Sequence, residues 1–325
     1  MLGLAVGDAL GATSEGKDPI ERHHLYGEIR DYAPGRRSSF RAVGVATDDT
    51  QLSFWTLEQL LDDGGLKPDN LARKFCKYHI RGIGNTTKQF IANYKDNRVP
   101  WYEAGVNSLG NGALMRIAPV ILPYLHHPHC SLWADAALDT MITHNAFANT
   151  ATCVAFVRML WDLLGMTSVP KPEWWIDCFC SAAHQLEGDT RYSPDNIRNA
   201  HYKGSLSKFA AQVCQEALSK GLSVETACQS WGSGANLFET VPSVLYILAN
   251  YAHDAEEAII RAVNDTVDND TIGAIVGAAV GALHGLAALP ERWVKNLTGT
   301  IREGGSKYQV FRLILLAKRA FWLNS

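Results

Sequence analysis

The 325-residue sequence has few charged residues and no excess of positive charge. Charged side chains make up 19% of the chain, against roughly 25% in an average globular protein, and the net charge is −3. This balance excludes the basic surface that is typical of nucleic-acid-binding proteins. Because hydrophobic residues make up 47%, the chain can bury a large core and is not expected to be disordered.

The sequence also lacks the marks of a secreted or membrane protein. Its seven cysteines are an odd number spread along a long chain, which indicates reduced thiols rather than a disulfide framework. The apolar residues 1–8 contain no basic residue and end at Asp8, so we do not expect a signal peptide. Residues 273–289 are apolar but contain His284 and fall short of the about 20 residues that span a bilayer. We therefore expect a cytoplasmic protein.

Alternating strand patterns are scarce, and the apolar residues mostly follow the period of a helix. Residues 29–33 and 40–45 are weak strand candidates that flank Pro34-Gly35 and could form a small hairpin. Helices are predicted over residues 49–61, 149–164, 242–251, 255–263 and 273–289, with Asp254 as a cap and residues 189–204 as a surface loop. No segment is long enough for a domain linker. The sequence therefore predicts one all-α domain over residues 1–325.

Two acidic motifs carry the clearest chemistry. The first acidic motif is Thr47-Asp48-Asp49-Thr50, whose adjacent carboxylates repel each other unless a cation lies between them. Its oxygen atoms suit magnesium, manganese or calcium and suit zinc poorly. The alternative is ordinary helix capping, in which Asp or Thr side chains accept hydrogen bonds from the free N–H groups of a helix start.

The second acidic motif is Asp268-Asn269-Asp270-Thr271, with Asp265 nearby. Its spacing is similar to the start of an EF-hand, but the twelfth position counted from Asp268 is Ala279 and not glutamate. Capping is again the alternative. Two helix starts that are both this acidic are less expected than one, so together the motifs favour a metal site.

The remaining candidates are weaker. Gly110-Asn111-Gly112 would let backbone N–H groups approach a phosphate, although a plain turn is the commoner use of Asn-Gly. The histidines at 126, 127 and 129 are interpreted as part of a polar loop and not as a zinc site. His144 opens an apolar helix and, taken alone, is typical of a structural histidine.

Five motifs, in order, resemble those of the ADP-ribosylglycohydrolases, a family that includes the dinitrogenase-reductase-activating glycohydrolase and the ADP-ribosyl-arginine and ADP-ribosyl-serine hydrolases. They are Gly7-Asp8-Ala9-Leu10-Gly11 with Glu15, the first acidic motif, residues 110–116, Thr143-His144, and residues 268–274. The resemblance covers residues 1 to about 290. It implies an all-α fold with a central cleft that holds two Mg²⁺ ions, or alternatively Mn²⁺.

The resemblance also implies roles for the matching residues. The metal ligands would be Thr47, Asp48, Asp49, Asp268, Asp270 and Thr271. Substrate would be bound by Asp8, Glu15, Ser108, Leu109, Gly110, Asn111, Gly112 and His144. The catalytic residues would be Asp48, Asp49 and Glu15: either Asp48 or Asp49 as the base, and Glu15 as a mobile gate over the metals. Asp270 falls on the position that bridges both ions.

The sequence departs from the family pattern at the second acidic motif. Thr266-Val267 stand where the family usually has two glycines, and Asn269 stands where threonine is common. We expect a stiffer loop, or one shaped for a different substrate. Both aspartates and the following threonine remain, so metal binding is still expected.

The implied function is removal of ADP-ribose from a modified protein or small molecule, with ADP-ribosyl-arginine as the favoured linkage. Serine-linked ADP-ribose, O-acetyl-ADP-ribose and modified nucleic-acid ends remain alternatives. So do a non-catalytic ADP-ribose-binding protein, a metal hydrolase for another ribose- or phosphate-containing molecule, and an immunity protein against an ADP-ribosylating toxin. We expect no membrane or nucleic-acid partner, and a monomer.

Overall fold

The computed structural model describes residues 1–34, 43–192, 199 and 201–323. Regular structure in these residues is helical, and β-pairing is limited to isolated bridges, which confirms the all-α prediction. The α-helices are α1 (Leu2–Gly11), α2 (Pro19–Tyr26), α3 (Asp48–Asp63), α4 (Pro68–Phe75), α5 (Asn85–Ile91), α6 (Trp101–Ala104), α7 (Ser131–Thr143), α8 (Phe147–Leu164), α9 (Pro172–Glu187), α10 (Leu206–Lys220), α11 (Val224–Trp231), α12 (Leu237–Tyr251), α13 (Ala255–Asp265), α14 (Asn269–His284), α15 (Glu291–Asn296) and α16 (Gln309–Lys318). Short 3₁₀ segments lie at Ala12–Ser14, Leu114–Arg116, Ala118–Tyr124 and Leu286–Ala288, and π segments at Ala92–Asp96 and Arg319–Leu323.

The five predicted helices are all present, and most extend beyond their predicted bounds. The side chain of Asp254 accepts a hydrogen bond from the Glu257 N–H at 3.0 Å, which confirms the predicted cap of α13. Helix α12 begins five residues before Pro242, because Asn236 caps it through the Phe238 N–H. Helix α14 begins at Asn269, so the second acidic motif forms its first turn.

The predicted hairpin is not formed by its described residues. Residues 29–33 make no strand, because the Asn264 side chain takes the place of a partner strand. Its Oδ1 accepts from the Ile29 N–H at 2.8 Å, and its Nδ2 donates to the Ile29 carbonyl at 2.9 Å. Val45 forms an isolated bridge with Thr298, and residues 35–42 lie outside the described residues. Of the predicted loop at 189–204, residues 193–198 and 200 also lie outside them.

Helices α1 and α14, from opposite ends of the chain, pack backbone against backbone. A Cβ atom added at Gly7 would lie 2.0 Å from the Gly273 carbonyl oxygen, and one at Gly3 would lie 2.1 Å from the Gly277 carbonyl oxygen. Only glycine permits this approach. One turn further along α1, a Cβ at Gly11 would lie 2.4 Å from the Asp270 Cα. The glycines of α1 therefore bring the N-terminal motif against the start of α14.

The core around these helices is built from large apolar side chains. Trp55 of α3 and Trp293 of α15 are fully buried, as are most apolar residues of α8 and α12. All seven cysteines are free thiols in this structure. Among the helices of the described residues, none has the length and apolarity that crossing a bilayer requires.

Candidate active site

The fully buried carboxylate of Asp8 holds the first acidic motif in place. It accepts hydrogen bonds from the Thr47 N–H at 2.8 Å and the Thr50 N–H at 2.9 Å. The Thr47 and Thr50 hydroxyl groups also donate to it, at 2.9 and 2.6 Å. Asp8 was expected to bind substrate; the structure places it beneath the motif, where it does not line the cavity described below.

The helix-capping alternative for the acidic motifs is realised only in part. Thr47 and Asp268 occupy the N-cap positions of α3 and α14, and neither caps its helix through its side chain. At α3 the Thr47 and Thr50 N–H groups donate to Asp8 instead. At α14 the Asp270 side chain satisfies one free N–H group, because its Oδ1 accepts from the Thr271 N–H at 2.9 Å. The remaining carboxylate oxygens of the motifs are left for another role.

Five acidic side chains from three segments converge in two overlapping groups. Carboxylate oxygens of Asp8, Asp49 and Asp270 lie within 4.8 Å of one another, and so do those of Glu15, Asp268 and Asp270. Asp270 belongs to both groups, which is the arrangement that a ligand shared by two cations needs. The Thr47 hydroxyl has one proton, which Asp49 Oδ2 shares with Asp8 Oδ1 because each lies 2.9 Å from the hydroxyl oxygen. Asp270 Oδ2 lies 3.4 Å from the same oxygen.

Burial makes this cluster of carboxylates electrostatically costly. Burial, with the neighbouring carboxylates, raises the pKa of Asp49 and Asp270 well above the ordinary range. The same causes raise the pKa of Asp48 to about 7. Burial also raises the pKa of Asp268, although the Asn111 amide donates to its Oδ2 at 2.6 Å and opposes the shift. A bound cation would remove most of this cost.

The donor set fits a hard divalent cation. Asp49 Oδ1 is buried without a hydrogen-bond partner, which is unfavourable unless something else satisfies it. All the converging atoms are carboxylate or hydroxyl oxygens, which magnesium and manganese prefer and zinc does not.

The acidic groups open into a cavity of about 280 Å³. It is lined by Glu15, Asp48, Gly82, Gly84, Asn85, Thr86, Thr87, Gly110, Asn111, Gly112, Met115, His144, Ala235, Asp268, Asp270 and Thr271. Four of these residues are acidic, and no lysine or arginine lies among the described lining residues. The lining is therefore acidic, and a bound cation would be needed to balance its charge.

The glycine stretch is placed at the cavity, but two of its three N–H groups are engaged within the protein. The Gly110 N–H donates to Ser108 Oγ at 3.1 Å, and the Asn111 N–H donates to the Ala235 carbonyl at 2.9 Å. Ser108 and Leu109 lie behind the stretch and do not line the cavity. The stretch needs a small residue at position 112, because a Cβ at Gly112 would lie 2.9 Å from the His144 ring.

His144 is a buried residue whose ring lines the cavity. Its Nδ1 lies 2.9 Å from the Thr143 hydroxyl. Burial, helped by the Arg116 charge, lowers the pKa of His144 to about 3. The imidazole is therefore neutral at neutral pH.

The residues that depart from the family pattern connect the second acidic motif to the Glu15 segment. The Val267 carbonyl accepts from the Gly16 N–H at 3.1 Å. The Asn269 amide donates to Ser14 Oγ and to the Val263 carbonyl, both at 2.9 Å. Asn269 is fully buried and is not a lining residue, and its amide ties the start of α14 to Ser14, next to Glu15.

Sequence reasoning missed one wall of the cavity, residues 82–87. Gly82 has φ +72°, and a Cβ there would lie 3.2 Å from Asp48 Oδ1. The buried Gln51 fixes this loop, because its Oε1 accepts from the Arg81 N–H at 2.7 Å and its Nε2 donates to the His79 carbonyl at 3.2 Å. The only sign of this wall in the sequence was the pair of glycines at positions 82 and 84, because no charged side chain of the segment lines the cavity.

Comparison with known proteins identifies the family of this chain. A family model described as ADP-ribosylglycohydrolase matches residues 1–321. The ADP-ribosyl-[dinitrogen reductase] glycohydrolase of Rhodospirillum rubrum is 28% identical, with 97% of this chain and 94% of that protein covered. The ADP-ribosylarginine hydrolase Tri1 of Pseudomonas putida is 25% identical, with 91% and 72% covered.

A solved structure titled ADP-ribosylglycohydrolase-related protein complex has the same fold. It superposes with a TM-score of 0.68 at 26% identity, and the match covers 98% of this chain and 95% of that one. The chain therefore belongs to the ADP-ribosylglycohydrolase family and is a glycohydrolase.

Proposed function

We propose that this enzyme hydrolyses the bond between ADP-ribose and an arginine side chain of a modified protein, with two Mg²⁺ ions at its acidic cavity. The observation that carries the proposal is the position of Asp270, which belongs to both groups of converging carboxylates. The names of the two relatives above, one of which specifies ADP-ribosylarginine, support the choice of linkage.

The proposed ligands of the ions are those that the family resemblance implies: Thr47, Asp48, Asp49, Asp268, Asp270 and Thr271. Of these, Asp49, Asp268 and Asp270 belong to the converging carboxylate groups. When bound, the ions supply positive charge that neutralises the buried carboxylates, attracts the diphosphate and polarises ribose hydroxyls and water. Mn²⁺ is the alternative, because it accepts the same oxygen ligands.

The chain's own residues would orient the substrate and move one proton. Hydrolysis at the anomeric carbon passes through an oxocarbenium-like transition state, which nearby carboxylates stabilise. Asp48 lines the cavity, whereas Asp49 is buried and accepts a hydrogen bond from Thr47. Asp48 is therefore the better placed of the two to take the proton of the attacking water. Glu15 is exposed at the mouth and is placed to cover the site.

The charge of the cavity supports an arginine linkage. Glu15 is the one acidic residue among the described lining residues that is not a proposed metal ligand, so its carboxylate keeps its charge when the ions are bound. A guanidinium leaving group carries positive charge and can donate two hydrogen bonds to that carboxylate. A serine hydroxyl is uncharged and has one proton to donate, so it gains less from Glu15.

The test is release of free ADP-ribose from an ADP-ribosyl-arginine protein, with Mg²⁺ and with chelator. Asp270→Ala should abolish Mg²⁺-dependent release, since it removes the residue shared by both carboxylate groups. Asp265→Asn is the matched control, because Asp265 is largely buried near the same loop but does not line the cavity. Full activity of Asp270→Ala would overturn the proposed metal site.

The linkage is tested separately by offering serine-linked ADP-ribose and O-acetyl-ADP-ribose to the same enzyme. The arginine substrate should have the highest kcat/KM. Faster release from a serine-linked substrate would overturn the arginine assignment and leave the metal site intact. Replacing Mg²⁺ by Mn²⁺ in the same assay identifies the preferred ion.

A further inference from the structure

A buried hydrogen-bond chain reaches His144 from the protein interior. Arg116 and Asp139 are both fully buried and form an ion pair. The Arg116 Nη2 donates to the Asp139 carbonyl and to the Thr143 hydroxyl, both at 2.9 Å. The Phe75 ring covers the guanidinium at 4.9 Å, so the arginine is held on several sides.

The donors and acceptors in this chain can be assigned by chemistry. A guanidinium can only donate, so the Thr143 hydroxyl must accept from Arg116. That hydroxyl has one proton of its own, and His144 Nδ1 lies 2.9 Å away. The reverse assignment, with Nδ1–H donating, would leave the Thr143 proton without an acceptor among the described residues, in a fully buried position. Nδ1 is therefore the acceptor.

We propose that Arg116 and Thr143 fix His144 as the Nε2–H tautomer, so that the imidazole donates one hydrogen bond to a substrate oxygen beside Gly110 and Gly112. The substrate part of this inference rests on the proposed function. Arg116 and Thr143 do not line the cavity and act through His144, so they are positioning residues.

The surroundings of Nε2 fit a donor to a ligand. A Cβ at Gly112 would lie 3.2 Å from Nε2, and one at Gly110 would lie 3.4 Å from it, so the two glycines leave this edge of the ring open. No partner for Nε2 lies among the described residues. Because burial keeps the ring neutral at neutral pH, His144 has a single N–H, and it faces the cavity. An acceptor oxygen of the ribose or the diphosphate is the matching group.

The test is ¹⁵N NMR of the histidine-labelled full-length protein, with the His144 signals assigned by their loss in His144→Gln. In the wild type, Nδ1 should show the shift of an unprotonated nitrogen, and Nε2 should carry the proton and shift when ADP-ribose is added. Thr143→Val should remove the preference of His144 for the Nε2–H tautomer. It should also weaken ADP-ribose binding by about threefold to tenfold, the value of one neutral hydrogen bond. Thr143→Ser keeps the hydroxyl and should restore both.

A protonated Nδ1 in the wild type would overturn the inference, as would a Thr143→Val protein with unchanged His144 signals and affinity. If Thr143→Val does not fold, the wild-type spectrum and the Thr143→Ser variant still decide the tautomer. Neither readout requires turnover. Loss of the proposed hydrolysis with the expected tautomer would therefore count against the proposed function alone.

Discussion

Asp8 Oδ2 on α1 accepts two hydrogen bonds from a single residue of α3, one from the Thr50 N–H at 2.9 Å and one from the Thr50 hydroxyl at 2.6 Å. With the matching bonds from Thr47, this contact makes a carboxylate from another helix the cap of α3. The first acidic motif is thereby fixed without using its own carboxylates, which stay directed to the site.

Thr50→Val should lower the free energy of unfolding by about 1–2 kcal/mol, because it removes a charge-assisted hydrogen bond to a fully buried carboxylate. Thr56→Val is the matched control on the same helix. The Thr56 hydroxyl is equally buried but bonds only the Leu52 carbonyl within α3, so its loss should be nearly neutral. Urea unfolding measures both; equal effects at the two positions would contradict the capping role of Asp8.

Gly7→Ala should destabilise the protein by about 3 kcal/mol or more and weaken Mg²⁺ binding. The added Cβ would meet the Gly273 carbonyl oxygen at 2.0 Å, and this backbone atom can give way only if α1 and α14 separate. Separation would pull Asp8 away from Asp270.

Gly281→Ala on α14 is the control for that variant. Its Cβ would have the Gly3 Cα as nearest neighbour at 3.7 Å, which is ordinary contact. Because alanine restricts the unfolded chain more than glycine, this variant should gain about 0.4–1 kcal/mol. Thermal unfolding and Mg²⁺ titration calorimetry distinguish the two; a Gly7→Ala protein as stable as wild type would refute the tight packing.

Asn111→Ala should weaken Mg²⁺ binding by about tenfold to a hundredfold, the usual effect of removing a residue that orients a metal ligand. The Asn111 amide donates to Asp268 Oδ2 at 2.6 Å and to the Thr240 hydroxyl at 2.8 Å, so it fixes the carboxylate against α12. Asn149→Ala provides the comparison, since the Asn149 amide donates to the Ser108 carbonyl at 2.6 Å and touches no acidic residue. Calorimetry should show an unchanged Mg²⁺ affinity for Asn149→Ala; equal losses in the two variants would argue against the specific role of Asn111.

Asp265→Asn should alter the pH dependence of stability. Burial raises the pKa of Asp265 from 3.8 to about 6 in the folded protein, with Arg261 opposing the shift. Since the folded state holds this proton more tightly than the unfolded state, the wild type loses stability as pH rises from about 4 through 6. The variant has no such loss and should be more stable than wild type at pH 7.5 by on the order of 1–3 kcal/mol. At pH 4 the difference should nearly vanish.

Asp63→Asn tests the opposite sign by the same urea titrations at several pH values. Hydrogen bonds from Asn70 and Gln59 hold the pKa of Asp63 below its ordinary value. Its carboxylate therefore contributes stability above the ordinary pKa, and that contribution is lost as the pH falls. The variant should be less stable than wild type at pH 7.5. If both variants shifted stability in the same direction at that pH, the two pKa assignments could not both hold.

The sequence was most informative where chemistry restricts the residue type. The carboxylates of the two acidic motifs were predicted to form one metal site because two helix starts that are both this acidic are less expected than one, and Asp49 and Asp270 do meet. The role of Asp8 as a cap was not predicted, because a capping residue normally precedes its own helix. The wall at residues 82–87 was missed because glycine and threonine carry no charge to mark a site.

The errors in the predicted secondary structure also have local causes. The hairpin at residues 29–33 failed because a side-chain amide can mimic a strand partner, and sequence pattern does not show which asparagine will do so. The start of α12 was placed too late because Pro242 looks like a helix boundary, whereas the cap at Asn236 lies upstream. The glycines of α1 were named only as part of the N-terminal motif, because their packing against the glycines of α14 is visible only in three dimensions.

The pairing of α1 with α14 also bears on how the enzyme is made. During translation α1 leaves the ribosome long before α14, the helix that covers its glycine face. Until α14 follows, α1 exposes an apolar surface, and the acidic side chains of the two helices cannot converge. The nascent chain is therefore expected to be prone to aggregation until α14 has been synthesised, and the carboxylate cluster can form only after that.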